Sequence, residues 1–256
     1  IKHTSPPGSK PKYPRPLTNQ LKLMDKLAKI IRKRRLGDGM IVLGLPQVEL
    51  VFDESGRVID AAKEDDAFTH TIIEMFMVEA NEALARLFHD LSIPVLRRIH
   101  PDPPVGDIAE LRSMAAAAGF KVPTEPSRHD LQRLLESTAG TPASRAIHLA
   151  VLRTLTKAEY SPAIIGHYAL ASQHYAHFTS PIRRYPDLLL HRQMQVYLEL
   201  TNNGQDHPKG DRRKSLQRKI ARDPRVLCEE ALVAMGRPCL ETGTEAQSAE
   251  RGPCLI

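Results

Sequence analysis

The residues with the clearest chemical potential lie in one segment, His174-Tyr-Ala-His-Phe-Thr-Ser-Pro-Ile-Arg-Arg-Tyr-Pro-Asp187, which runs on through Leu188 to Arg192. Thr179 or Ser180 can cap a helix whose first residue is Pro181. The hydroxyl accepts a free backbone N–H, and proline leaves none unpaired. Arg183 and Arg184 then fall in the first turn, where the helix dipole disfavours cations. Two guanidinium groups there cost stability unless an anion shares the site, and a phosphate held by free N–H groups plus arginine reverses the sign of that cost. Pro186 supplies a second arrangement, in which the regular helix starts there and 180–185 forms a tight turn. Either way the arginines stand at a helix entrance. Asp187 is four residues from both Arg183 and His191 and can orient either one.

Aromatic residues gather around this segment. Tyr160, Tyr168, Tyr175, Phe178 and Tyr185 are five of the chain's twelve Tyr and Phe residues. Rings that stack on the bases of a single strand contribute about 1–3 kcal/mol each, although rings more often pack in a core. Upstream, Glu74 and Asn81 are seven residues apart in a helical pattern, and so project from nearly the same side of it. A carboxylate and an amide on a half-buried stripe need partners, either an interhelical hydrogen bond or a polar ligand group. His167, His174 and His177 raise the possibility of a metal site, but no cysteine accompanies them and their spacing is loose. Asp60, Glu64, Asp65 and Asp66 read as solvated acids preceding a helix. The chain contains no G-x-S-x-G elbow, P-loop or G-x-G-x-x-G.

The elements that must hold these groups are mostly helical. Residues 1–16 contain five prolines with Lys and Arg and read as an extended linker. Leu21, Met24, Leu27, Ile30 and Ile31 follow helical spacing from Thr18 to Gly37. Met40–Leu45 and Val48–Phe52 read as strands, and Asp53-Glu-Ser-Gly56 as a turn leading into a return strand over 57–61. Residues 69–91 form the clearest helix, with Ile72, Ile73, Phe76, Met77, Ala80, Ala83, Leu84, Leu87 and Phe88 on its apolar face. Further helices are expected at 106–118, 128–137, 142–155, from the arginine segment to about 200, and at 212–234. Residues 160–180 mix strand and loop, and 236–256 show a poor helical pattern. The fold class is α/β (α+β), helix-rich with a small mixed or antiparallel sheet.

Composition narrows the function classes. The chain has 256 residues, 41% hydrophobic and 26% charged, which excludes a fully disordered polypeptide. It contains no apolar run of membrane-spanning length and opens with no signal-type segment. Cys228, Cys239 and Cys254 form no C-x-x-C pair, and a reducing, cytoplasmic setting fits. The net charge is +6, yet residues 1–35 alone hold eleven basic residues against Asp25. This basic front is a localised footprint for a polyanion, or else a solvated helix face.

The segment Tyr175 to Asp187, with His191-Arg192, resembles the signature of the ribonuclease II / ribonuclease R (RNB-type) exoribonucleases. Four segments agree in order and spacing: Ile73-Glu-Met-Phe-Met-Val-Glu-Ala-Asn81, Ile93-Pro-Val-Leu-Arg-Arg-Ile-His100, Leu152-Arg-Thr with Ala158-Glu-Tyr160, and Gly166-His-Tyr-Ala-Leu170. The resemblance implies a 3′→5′ exoribonuclease that releases nucleoside monophosphates from single-stranded RNA by water attack, with Mg²⁺ stabilising phosphoryl charge. It implies that Arg183 grips the phosphate region at the 3′ end and stabilises charge at the scissile group, supported by Arg184 and Ser180. Tyr175 and His177 fall within the RNA-binding signature. Glu74 matches a carboxylate presented to the RNA sugar, where a 2′-OH contact distinguishes RNA from DNA. Met75 stands beside it where many relatives carry a second Glu. Glu250, in Ala249-Glu-Arg251, matches a late acidic position near the cleavage site.

The departures are as informative. The family's magnesium ligands form an Asp-rich block, roughly D-x5-D-x-D-D, whose spacing Asp60, Asp65 and Asp66 do not reproduce. No cold-shock-like or S1-like domain is recognisable, and residues 252–256 diverge from the family. The expectation is therefore a Pro-rich basic linker over 1–16, the C-terminal two-thirds of an RNB-type catalytic domain over 17–251, and a divergent tail. Such a chain is expected to be inactive alone, because the metal carboxylates are absent. A non-catalytic RNA-binding relic and an inert fragment of a truncated reading frame are the alternatives. The oligomeric state is not legible.

Overall fold

The computed structural model of the chain describes residues 14–44, 48–53, 55–63, 68–206 and 208–250. Among these are eight α-helices and two two-stranded antiparallel sheets. The chain divides into two compact units, residues 1–76 with 103–155 and residues 77–102 with 156–256.

The first unit begins with α1 (Arg15–Gly37), whose buried positions are Ala28, Ile31 and Arg35. The helix starts inside the expected proline-rich linker, since Arg15 and Pro16 already form its first turn; Pro is well tolerated there because its missing N–H has no helical acceptor. Met40–Gly44 is not the expected strand. Its backbone is turned to a different use, with the Gly44 N–H donating to His148 Nδ1 at 2.8 Å. β1 (Val48–Phe52) and β2 (Val58–Lys63) form the predicted hairpin, with a register shift between Val51 and Phe52. Asp53 closes the turn by accepting the N–H groups of Ser55 and Arg57 on one carboxylate oxygen. α3 (Val105–Ala117), α4 (Arg128–Thr138) and α5 (Ser144–Thr154) complete this unit, and α5 packs against both of the others. A reciprocal capping box between Ser127 and Asp130 starts α4. Pro142 stays outside α5, in the turn closed by the Ser144 N–H on the Thr141 carbonyl.

α2 (Phe68–Asp90) begins in the first unit and ends in the second. Its buried positions are Ile72, Met75, Val78, Asn81, Ala85 and Phe88, while Ile73 and Ala83 are exposed. The buried stripe is thus turned from the expected one and takes in a polar residue, Asn81, because a hydrogen-bonding partner lies opposite it.

The second unit holds β3 (Arg97–Ile99) paired with β4 (Glu159–Ser161), a 3₁₀ turn at Tyr168–Leu170, α6 (Tyr185–Leu200), α7 (Asp211–Arg222) and α8 (Glu229–Glu250). Its main core contains Ala85, Phe88, Ile93, Val95, Ala176, Leu190, Val196, Leu216 and Ile220. Two corrections concern the C-terminal helices. The single helix expected over 212–234 is broken, because Asp223 precedes Pro224 and adopts an extended conformation. Residues 236–250, where the pattern is poor, continue α8 through an internal Pro238. Leu232 is buried on Leu96 and Leu189, with Met235, Cys239 and Tyr160 packed around them. Tertiary burial here outweighs weak propensity.

Candidate nucleic-acid interface

The site is built in the second unit on the β3–β4 pair. Arg98 lies opposite Tyr160 in the ladder, and the two share one face while Arg97 and Ile99 turn into the core. The Arg98 guanidinium sits 4.6 Å from the centre of the Tyr160 ring, a cation–π contact. The arginine segment runs alongside, with the Arg98 N–H donating to the Tyr175 carbonyl at 3.0 Å.

Buried polar side chains then hold that segment at successive points. Asn81 Nδ2 donates to the Tyr175 hydroxyl at 3.0 Å, and the Phe178 N–H donates to Asn81 Oδ1 at 2.9 Å. His191 donates from Nε2 to the Phe178 carbonyl at 2.8 Å, and its ring stacks on Phe178 with centroids 4.1 Å apart. Asp187, with no exposed surface, accepts three hydrogen bonds: from the Ser180 N–H at 2.8 Å, Arg184 Nε at 2.8 Å and Arg184 Nη2 at 2.7 Å. A carboxylate so enclosed is tolerated because a bidentate guanidinium supplies its counter-charge. Asp187 therefore orients Arg184 and the turn, and neither Arg183 nor His191, the two partners its spacing suggested. Both the Arg183 and Arg184 N–H groups bond back to the Ser180 carbonyl. The tight-turn arrangement of 180–185 is the one adopted, and α6 begins at Tyr185 with no side-chain cap from Thr179 or Ser180.

The result is a cavity of about 470 Å³ whose walls include Arg98, Tyr160, His177, Arg183, Arg184 and Tyr185, with Cys239, Leu240, Thr242, Gly243 and Thr244 of α8 completing it. Arg183 is exposed and, among the described residues, has no carboxylate partner. His177 Nδ1 lies 2.8 Å from the Tyr160 hydroxyl. Burial, reinforced by Arg184, Arg98, His167 and Arg183, pushes the His177 pKa down to about 3, so the ring is neutral. Burial raises the Tyr160 pKa against the opposing pull of Arg98 and Arg184, so the phenol keeps its proton.

The sequence-derived candidates separate clearly. Arg183, Arg184 and His177 meet at the cavity, and Ser180 shapes the turn through its backbone. Tyr175 is buried, edge-on to His167 and His177. Phe178 is covered by His191, and of the five clustered aromatics Tyr185 keeps an open face, 44% exposed. Glu74 is exposed on the part of α2 that belongs to the first unit. Glu250 ends α8, and its side chain lies outside the described residues, as do Glu64, Asp65 and Asp66. Sequence reasoning missed Arg98 and the α8 wall. Arg98 stands in a run where Val95, Leu96, Arg97, Ile99 and His100 are all buried, so no alternation marks it, and the α8 wall was hidden by its weak helical pattern.

The donor set of the cavity does not suit Mg²⁺. Divalent magnesium takes carboxylate, carbonyl and water oxygens, whereas the described side chains on these walls are cationic, neutral or apolar, with no Asp or Glu among them. Among the described residues no three His, Cys, Asp or Glu side chains group as metal ligands, those of His167, His174 and His177 included.

A pocket walled by three arginines, a neutral histidine and open aromatic surface is chemically suited to an anion and a stacked ring. The RNB domain profile matches residues 2–200, and the chain belongs to the RNB domain family. It is 36% identical over 194 residues to "Ribonuclease R" of Aquifex aeolicus (strain VF5), covering 75% of this chain and 27% of that protein. It is 37% identical over 187 residues to "Ribonuclease R" of Escherichia coli (strain K12), covering 72% and 23%. The chain thus spans about a quarter of the length of the curated relatives it matches. Among solved structures it is similar to Mycoplasma genitalium RNase R in complex with ribose methylated single-stranded RNA, with a TM-score of 0.70, 29% identity, and coverage of 83% of this chain and 33% of that one. The fold is shared more distantly with yeast Ssd1, described as a pseudonuclease, at a TM-score of 0.55 and 22% identity over 86% of this chain and 26% of that one. No described helix is long and apolar enough to cross a membrane.

Proposed function

We propose that this chain is the arginine-bearing part of a hydrolytic 3′→5′ exoribonuclease that degrades single-stranded RNA to nucleoside monophosphates. In this reading Arg183 holds the phosphate near the 3′ end, because its guanidinium is exposed at the cavity while that of its neighbour is already bound by Asp187. That difference between two adjacent arginines is the observation that carries the proposal. Arg184 and Ser180 fix the turn, His177 offers a neutral imidazole, and Tyr175 anchors the segment. The family resemblance assigns Glu74 to the RNA sugar and Glu250 to the region of the cleaved bond. The RNase R names of the relatives, and the RNA bound to the Mycoplasma genitalium protein, support RNA as the polyanion. Filter binding of the full chain to single-stranded RNA tests the reading. Arg183→Ala is expected to weaken binding and to lower the salt slope by about one; unchanged affinity overturns it.

A second reading for this chain by itself is an RNA binder without catalysis, supported by the arginines and open aromatic surface that the described wall offers to RNA. Incubation with single-stranded RNA and Mg²⁺ is expected to release little or no mononucleotide. Robust release would remove the second reading.

A further inference from the structure

The walls of the cavity carry more positive charge than an internal phosphodiester can neutralise. Arg184 is cancelled by Asp187. Arg183 and Arg98 are not: among the described residues neither forms an ion pair with a carboxylate. The partner of Arg98 is the face of the Tyr160 ring, and the exposed Glu159 acts on it more weakly than its other charged and aromatic neighbours. Burial destabilises the Arg98 charge, and Arg184 adds to that. His177 and Tyr160 are neutral, and burial raises the Cys239 pKa so that the thiol is neutral too. The wall therefore holds two uncompensated guanidinium groups. An internal phosphodiester brings one negative charge, whereas a phosphate monoester brings about 1.5 to 2 near pH 7. The volume, about 470 Å³, lies within the roughly 300–1,000 Å³ of ordinary small-molecule sites.

We propose that this cavity selects a phosphate monoester over a phosphodiester, with Arg98 as the second phosphate-binding arginine. The proposal deepens the exoribonuclease reading, on which it rests for the placement of an RNA end here. Its consequence in an enzyme that carries this part is that the group released by hydrolysis, a nucleoside 5′-monophosphate, is held more tightly than the chain it came from, so that product is retained and inhibits. Arg183 and Arg184 come from the turn before α6 and Arg98 from β3, so the guanidinium groups that line the cavity are carried by two elements. A monoester has the free oxygens to meet both.

Titration calorimetry of the full chain with 5′-AMP and with its 5′-methyl ester, which differs by one charge, tests this. The wild-type chain is expected to bind 5′-AMP at least about tenfold more tightly at low salt, a gap of about 1.4 kcal/mol. The gap should close as pH falls below about 6, where the monoester dianion takes up one proton and becomes a monoanion. Arg98→Gln should erase most of the gap, while Arg98→Lys, which keeps the charge, should retain much of it and controls for misfolding. Equal affinity for the two ligands in the wild-type chain overturns the proposal, as does a gap that Arg98→Gln leaves intact. Oligonucleotides with 3′-phosphate or 3′-hydroxyl ends identify the source of the monoester. Tighter binding of the 3′-phosphorylated strand than of 5′-AMP points to an RNA end, and the reverse order to released nucleotide. Selectivity for 5′-AMP without any RNA binding would leave this inference standing and remove the exoribonuclease reading; RNA binding through Arg183 with no monoester preference would do the opposite.

Discussion

Gly236 sets how closely α8 approaches the strand that carries Tyr160. A Cβ built on Gly236 would lie 2.2 Å from the Tyr160 carbonyl oxygen and 3.3 Å from its carbon. Carbon–oxygen contacts in proteins settle at about 3.3 Å or more, so Gly236→Ala forces a retreat of roughly 1 Å between two backbones. Neither can yield by rotating a side chain. Overpacking of this kind costs about 1–3 kcal/mol, against which the higher helical propensity of alanine returns at most about 1 kcal/mol. The net expectation is a loss of about 1–2 kcal/mol. Gly243, on the same helix, has nothing within 4 Å of its Cβ position, so Gly243→Ala should gain up to about 1 kcal/mol. At about 2–4 °C per kcal/mol for a protein of this size, calorimetry should show Tm falling by roughly 2–8 °C for Gly236→Ala and rising slightly for Gly243→Ala. The displaced α8 wall should also weaken 5′-AMP binding in the first variant, because Cys239 to Thr244 move with it. A Gly236→Ala chain as stable as the Gly243→Ala chain would refute the reasoning, since the two substitutions differ only in what the new methyl group meets.

Other perturbations test the clamps around the arginine segment. Asn81→Leu leaves the Phe178 N–H without its acceptor and should cost about 1–3 kcal/mol in urea denaturation; a loss below 0.5 kcal/mol on the order-of-magnitude scale of one hydrogen bond would show that the clamp is dispensable. Asp187→Asn strips Arg184 of its counter-charge, and since that arginine is partly exposed the loss should fall near the low end of about 3–5 kcal/mol, read as a lowered Tm. His167 and His177 both have pKa values pushed down to about 3 by burial, below the ordinary 6.5. Between those values the unfolded chain takes up protons that the folded chain refuses, so stability falls with pH by about 1.4 kcal/mol per unit for each ring. Denaturation at pH 7.5 and 5.5 should show this loss and a shallower one in His177→Gln; identical slopes would contradict it.

Helix positions were largely legible in the sequence because periodic apolar residues and Gly or Pro punctuation act locally. The hairpin at Asp53–Gly56 and the helices α3, α4 and α6 follow from such signals. What local pattern does not carry is the identity of a distant partner. Asn81 is buried rather than displayed because Tyr175 and Phe178, 94 and 97 residues further on, offer hydrogen bonds to its amide. The α8 wall extends past a glycine and a proline because Leu232, Met235 and Cys239 find the cluster around Leu96 and Tyr160. At the site, Arg183 and Arg184 were readable as a pair near a helix start, but their division of labour was not. It depends on the conformation of the turn, which brings Arg184 and not Arg183 onto Asp187. Arg98 was unreadable as a site residue for the same reason: its role comes from the strand pairing that sets it over Tyr160.

The two halves of that electrostatic arrangement explain each other. Three guanidinium groups around one cavity repel, and Arg98 also loses hydration. Asp187 removes one charge from that balance, at a point where it simultaneously fixes the Ser180 turn. The histidine among the arginines contributes no further charge, because burial and the arginines themselves keep it neutral. What is left is an excess on Arg98 and Arg183, whose backbones are held by the ladder and by the clamped turn. Neither element can move to relieve the repulsion without breaking backbone hydrogen bonds: the Arg98 N–H to Tyr175 on one side, the Ser180 turn on the other. An anion bound between Arg98 and Arg183 would offset that excess without moving either backbone, which is what the proposed monoester preference requires.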